Sequence, residues 1–242
     1  MDYELKFSHY NEYSILIEWP AVMDENMLKN ILNYKKSIQN SCVESIIDII
    51  NTYNSLLIIY DYTIDDIYDE ISRLKSLKIE ADTNEESSSK LWRIPVCYDD
   101  DFGIDLEAFS KEKQLSKNEV IELHTSAKYT IFFIGFLPGF LYLGGLNKKL
   151  HLNRKSTPNL NIKKGSVGIG GNQTGIYPKN SPGGWHIIGK TPVDFFNANS
   201  SHPCIFSSGD KLQFYAISKA QFLDLEQDIK NNQFQLTPEL YA

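Results

Sequence analysis

Glycine placement constrains this chain more than any other feature. The first 102 of its 242 residues contain no glycine, and 12 of the 14 glycines fall between Gly135 and Gly189. A stretch without glycine must be built from ordinary helical and extended backbone. A glycine-dense one needs positive-φ turns or close backbone approaches. Two halves with different construction rules are expected.

In the first half, residues 3–9 and 13–18 predict a hairpin turning at Asn11 and Glu12. Residues 24–38 predict a helix with Met27, Leu28, Ile31, Leu32 and Ile38 on one side, and Asp24 and Glu25 in the first turn, where acids suit the helix dipole. A second hairpin follows over 43–50 and 54–60, turning at 52–54. A second helix is expected over 63–77, with Thr63 as N-cap. The order ββα, read twice, suggests a sheet covered by helices on one face. The polar run 81–90 reads as a linker between a domain at 1–85 and a second at 91–242.

Residues 91–98 are strand-like, and 99–103 form an acidic turn. Helices are expected at about 105–113 and at 117–124, the latter opened by a capping box of Ser116 and Glu119. From Lys128 onward, YTIFFIGF, GSVGIGG, QTGIYP, GGWHIIG and KLQFYAI are short β segments between turn signals, a pattern that favours a barrel or sandwich.

The net charge of −7 gives no general attraction for nucleic acid. The N-terminus lacks the apolar core of a signal peptide, and no apolar run reaches the ~18 residues of a membrane span. Cys42, Cys97 and Cys204 are far apart, without CxxC spacing, and read as reduced, partly buried residues. A cytoplasmic protein is expected.

Three stretches could carry chemistry. Gly135 to Leu143 sets two glycines and a proline among large apolar groups, either as a buried turn at a barrel mouth or as a loop whose N–H groups approach a ligand. Arg154, Lys155, Lys163 and Lys164 precede the glycine-rich GSVGIGG. This is either a solvated basic hairpin or an anion site, in which Arg154 would grip a carboxylate or phosphate with two hydrogen bonds. It is not a phosphate-binding P-loop, because GxxxxGK[ST] is absent. Third, Gln173, Tyr177 and Ser181 supply neutral hydrogen-bonding groups for an amide or carboxylate, and Gly183-Gly184 would present Trp185. His124 stands at a helix end, as an acid/base or as a structural hydrogen-bonding group. No two histidines have metal-ligand spacing and no G-x-S-x-G elbow is present, which argues against a zinc site and a serine triad.

Taken in order, IGFLPGFLYLGGL, the R-x-S-T-P at Arg154, GSVGIGGNQTGIYPKNSPGGW and IGKTP resemble the 5-oxoprolinase B-subunit family, also described as allophanate hydrolase subunit 1 or the KipI-type kinase inhibitor. RIPVCYDDDFGIDLEAF and ELHTSAKYT agree with it. The resemblance is strong over about 91–215. It implies an α+β fold, with a small N-terminal α/β sandwich followed by a cyclophilin-like β-barrel. It also implies a component that is inactive alone. With a homologous C subunit and an A subunit, the family hydrolyses 5-oxoproline to glutamate using ATP with Mg2+, at the level of the complex. Because the lactam resists opening, phosphorylation of its oxygen is the implied activation.

Carried over by position, the pocket comprises His124, Arg154, Gly165, Ser166, Gln173, Tyr177, Ser181, Gly184 and Trp185. Arg154 would bind an anionic group, Gln173 and Tyr177 would orient the amide, and His124 would move a proton. Asn159 and Lys190 depart from the family, which usually has arginine at both positions, and Lys190 is counted with the substrate-binding set. No metal site and no cofactor are assigned to this chain itself. The alternatives within the resemblance are an inhibitor that binds a sporulation histidine kinase, and a carboxyltransferase-related component. The latter is weakened by the lack of a biotinyl-carrier motif.

Overall fold

Strands β1 (Lys6–Asn11), β2 (Ser14–Glu18), β3 (Ile46–Asn51) and β4 (Ser55–Tyr60) form an antiparallel sheet in the order β1-β2-β4-β3. They belong to the first of two compact units, Met1–Ser87 and Ser88–Ala242. The computed structural model describes residues 3–41, 45–79 and 89–241. Strand residues alternate between faces, so Ile15, Ile17, Leu56, Ile58 and Tyr60 turn inward together. They share one core with Met27, Ile31 and Ile38 of helix α1 (Glu25–Ser41) and Leu74 of α2 (Ile67–Ser76). This is a sandwich of one sheet and two helices.

The second helix begins later than its sequence suggests. Glu12 O accepts from Ile64 N (2.9 Å), which holds residues 63–65 in the loop. Asp66, rather than Thr63, is the N-cap, accepting from Tyr68 N (2.8 Å) and Asp69 N (3.1 Å). Cys42 and most of the expected linker, 81–88, lie outside the described residues. Ser89 and Lys90, expected in the linker, instead open the strand β5 (Ser89–Cys97).

In the second unit β5 is followed by α3 (Leu106–Lys113), α4 (Lys117–Ser126), β6 (Lys128–Ile134), β7 (Leu141–Gly144), β8 (Asn159–Ile162), β9 (Ser166–Gly170), β10 (Gln173–Ile176), β11 (Ser181–Gly183), β12 (His186–Lys190), β13 (Lys211–Ile217), α5 (Lys219–Lys230) and β14 (Glu239–Tyr241). Seven of these strands run in the order β12-β9-β10-β7-β6-β13-β5, and the pairing of Lys190 with Cys97 returns β12 to β5. The result is a closed barrel. Its interior is filled by alternate residues such as Ile94, Ile131, Leu143, Ile169, Ile176 and Phe214. Closure leaves no sheet edge along most of the circumference.

Helix α4 starts at the expected capping box, with Glu119 N bonded to Ser116 Oγ (3.2 Å) and Ser116 N to Glu119 Oε2 (2.8 Å). Helix α5 has no counterpart in the sequence reading, although Ser218 and Gln221 make the same box (Gln221 N to Ser218 Oγ, 3.2 Å). It presents a single buried side chain, Phe222, which is too little to mark an apolar stripe. Cys97 and Cys204 are free thiols, and burial pushes the pKa of both up. No helix among the described residues is long and apolar enough to cross a membrane.

Candidate functional site on the outer face of the barrel

On β7, β10, β9 and β12 one set of alternate residues fills the barrel and the other faces outward. The outward row in register is Tyr142, Gly175, Gly168 and Ile187. Two adjacent strands thus lack side chains here, and Gly170 widens the gap. The vacated groove holds the indole of Trp185, which is buried. A Cβ at Gly170 would stand 2.6 Å from the indole, and one at Gly175 3.0 Å from it. These glycines are spacers for an aromatic ring rather than turn residues.

Other rings close around the indole. Phe140 meets it edge-on at 5.5 Å and Tyr142 at 6.0 Å, and Phe140 also meets Tyr177 at 5.1 Å. Tyr142 in turn stacks on Phe133 at 4.1 Å. Ile162, from the β8–β11 ribbon, completes this cluster, which is separate from the barrel core. Edge-to-face pairs at such spacing add stabilisation beyond buried area. Ser181, in register with Ile162, has a hydroxyl shielded from solvent and without a hydrogen-bond partner among the described residues.

Above the indole lies Arg154, its Cζ 5.6 Å from the ring centre. Its loop is pinned on both sides: Lys155 N donates to Gly184 O (2.7 Å), and His186 Nε2 bonds Asn153 O (2.9 Å). Lys155 Nζ pairs with Asp105 Oδ1 at 2.5 Å, while Asp105 Oδ2 accepts from Ile187 N at 2.8 Å. Asp105 therefore ties the start of α3, the Arg154 loop and β12 to one another.

The four cations of the basic stretch have separate fates. Lys155 is neutralised by Asp105, Lys164 pairs with Asp194 (2.5 Å), and Lys163 donates to Asn161 (3.1 Å). Arg154 alone of the four has no hydrogen-bond or ion-pair partner among the described residues, and it stays exposed. Its charge reaches two phenols. Burial pushes Tyr177 up to about 12, and a backbone hydrogen bond from Trp185 and the Arg154 charge both pull it down. Tyr142 is also raised by burial and opposed by Arg154. Both phenols keep their protons at neutral pH.

The structure thus brings together Arg154, Tyr177, Gly184 and Trp185. Gln173 lies on the same outward face of β10 as Gly175, two residues away. Gly165 and Ser166 instead serve the backbone. Gly165, at φ +81°, donates to Tyr177 O (2.8 Å), and a Cβ there would stand 2.3 Å from Thr191 O. Ser166 O accepts from Tyr177 N (2.9 Å).

Lys190 lies elsewhere, with its ammonium 5.5 Å from the ring centres of both Phe102 and Phe222. It is five residues along the chain from Trp185, about 16 Å of strand. His124 is fully buried inside the barrel, stacked on Phe214 at 4.5 Å. Its ring nitrogens meet Tyr98 Oη (Nδ1, 2.7 Å) and Thr174 Oγ1 (Nε2, 3.0 Å).

Sequence reasoning missed Asp105, and within the Gly135–Leu143 stretch it gave Phe140 and Tyr142 no role of their own. The alternation of glycines at 168 and 170 beside Gly175 was the available signal for a flat groove. Asp105→Ala should lower stability by about 2–4 kcal/mol, because it leaves Lys155 and the Ile187 N–H unpaired. Asp105→Asn, which keeps an acceptor for Ile187, should lose less. Urea denaturation of both variants measures the difference, and equal stability of Asp105→Ala and the parent would refute this role.

A model of the carboxyltransferase domain, subdomain C and D, matches residues 5–206. The chain is 45% identical over 137 residues to the 5-oxoprolinase B subunit of Bacillus subtilis, covering 57% of each chain. It is 33% identical over 204 residues to the 5-oxoprolinase B subunit of Haemophilus influenzae, covering 84% of this chain and 94% of that one. The crystal structure of the K. lactis urea amidolyase superposes with a TM-score of 0.82 at 19% identity, over 98% of this chain and 16% of that one, a likeness of fold alone. The alignments therefore span little more than half of the Bacillus relative but nearly all of the Haemophilus one. On the extent of the family match and of the Haemophilus alignment, this chain belongs to the 5-oxoprolinase B-subunit family of carboxyltransferase-domain proteins.

Proposed function

We propose that this chain is the B subunit of an ATP-dependent 5-oxoprolinase, working in the cytoplasm with a homologous C subunit and an A subunit to convert 5-oxoproline to glutamate. The names of its curated relatives support the assignment. The observation that carries the site is Arg154, a guanidinium without a carboxylate partner among the described residues, held over a buried indole. In this reading the flat lactam ring packs near Trp185, its carboxylate accepts two hydrogen bonds from Arg154, and neutral Tyr177 and Gln173 orient the amide. The shielded Ser181 hydroxyl would gain a partner on binding.

His124 in this reading is a positioning group: buried and neutral, it has no path to a substrate proton. Lys190 is assigned to the packing of Phe102 and Phe222. ATP with Mg2+ belongs to the complex. Among the described residues no three His, Cys, Asp or Glu side chains gather to hold a metal ion.

The test is reconstitution. The chain alone should release no glutamate from 5-oxoproline and ATP, and the mixture with A and C subunits should release it. In that mixture Arg154→Ala should raise KM for 5-oxoproline by about 10–100-fold, with Arg154→Lys recovering part of the loss. Full activity of Arg154→Ala would refute the carboxylate assignment.

A further inference from the structure

The acidity of the chain is confined to its first unit. Residues 1–87 hold seven Lys and Arg against 17 Asp and Glu, a net of −10, whereas residues 88–242 hold 17 against 14, a net of +3. Within the first unit, no Lys or Arg occurs between Lys6 and Lys29, or between Lys36 and Arg73.

The fold brings these cation-free runs to one end of the N-terminal sheet. Tyr60 N donates to Tyr13 O (2.8 Å), Ile64 N to Glu12 O (2.9 Å) and Asp61 N to Ser45 O (3.2 Å). The β1–β2 turn, the start of β3 and the loop into α2 therefore lie side by side. Four tyrosines are exposed there: Tyr10 (61%), Tyr13 (48%), Tyr62 (38%) and Tyr68 (83%). Ile47, exposed at an irregularity in the β3–β4 ladder, joins them. Glu12, Asp61, Asp65 and Asp69 are exposed between them, with no cation in ion-pair range among the described residues.

Soluble surfaces usually intersperse both charges, and large apolar side chains exposed in a group mark interaction sites. Tyrosine is enriched at the energetic centres of interfaces, because it offers much contact area at small entropic cost. Its ring also attracts lysine and arginine. Acids around such rings select for a basic counterpart and speed its approach. Nucleic acid would be repelled. A symmetric contact with a second copy would press two acidic ends together.

Resting on the reading of this chain as one component of a complex, we propose that the tyrosine-rich acidic end of the N-terminal unit docks a Lys- and Arg-rich face of a partner subunit. The experiment uses the full-length chain with purified A and C subunits from the same organism, with affinities measured calorimetrically at about 50 and 500 mM NaCl. The expected result is that one of the two binds, that high salt weakens it, and that Asp61→Lys with Asp65→Lys, or Tyr10→Ser with Tyr68→Ser, weakens it at least tenfold at unchanged melting temperature.

Tight, salt-dependent binding that all four substitutions leave intact overturns the surface but not the complex. Wild-type binding to neither of the two overturns the complex itself, and this proposal with it. Concentration-dependent self-association that the same variants abolish, seen by analytical ultracentrifugation, overturns the partner in favour of a second copy.

Discussion

His124→Ala should lower the stability of the barrel by about 3–5 kcal/mol, because it opens a cavity, removes the imidazole partner of the buried Tyr98 hydroxyl and takes a donor from Thr174. Thr174 Oγ1 gives its only proton to Gly168 O (3.0 Å), so His124 Nε2 must carry the proton that reaches Thr174. Nδ1 is then the acceptor for the Tyr98 hydroxyl. Tyr129 donates to the His124 carbonyl (2.7 Å). One neutral imidazole thus links α4 to β10 and the residue following β5, and Thr174 carries the link on to β9.

That arrangement has a pH signature. Burial lowers the His124 pKa from 6.5 to about 3. Between those values the unfolded chain binds a proton that the folded chain refuses. The stability contributed by neutral His124 is complete above pH 6.5 and is lost as pH falls towards 3, by ~1.4 kcal/mol per unit within that window. Urea denaturation from pH 7 to 4 should show this slope in the parent. His124→Gln, which has no titrating group, should have a slope smaller by about one proton, and identical slopes would remove His124 from the linkage.

What was legible in the sequence is what glycine and turn residues set locally. The N-terminal order ββα, the β5 strand and the α4 capping box are all set by neighbours within a few residues. The Gly135–Pro192 stretch likewise pointed to Arg154, Tyr177 and Trp185. What stayed hidden depends on partners distant in sequence. Nothing near Asp105 announces Lys155, 50 residues on. The outward orientation of Gly168, Gly170 and Gly175 depends on barrel register, which no single segment encodes. Lys190 sits in a family motif, yet its position along β12 carries it away from Trp185. For His124 a signal existed: Val120, four residues earlier, shares its buried helix face.

On the proposed reading of Arg154 over Trp185 as the substrate site, Gly170→Ala should disable it while sparing the barrel. The strand residues that fill the interior, Val167 and Ile169, are untouched by the change. The new methyl would arrive 2.6 Å from the indole of Trp185, inside any real carbon contact. The ring cannot slide sideways, because Phe140 and Tyr142 stand at 5.5 and 6.0 Å, and Gly175 fixes its other edge. It must lift away from the sheet. Overpacking of this kind lowers stability by about 1–3 kcal/mol, which a domain of this size tolerates. The functional loss should be much larger. Arg154 rests on that ring, and a displacement near 1 Å at a binding group can cost about 100-fold in rate. In the reconstituted complex, activity should therefore fall about 100-fold while the cooperative unfolding transition of the chain persists. Gly171→Ala is the control: a Cβ there meets nothing within 4 Å, and its strain comes only from φ +69°. It should lose comparable stability, about 1 kcal/mol, with nearly full activity. Equal activity losses in the two variants would show that backbone strain, not the seat of the indole, limits the site.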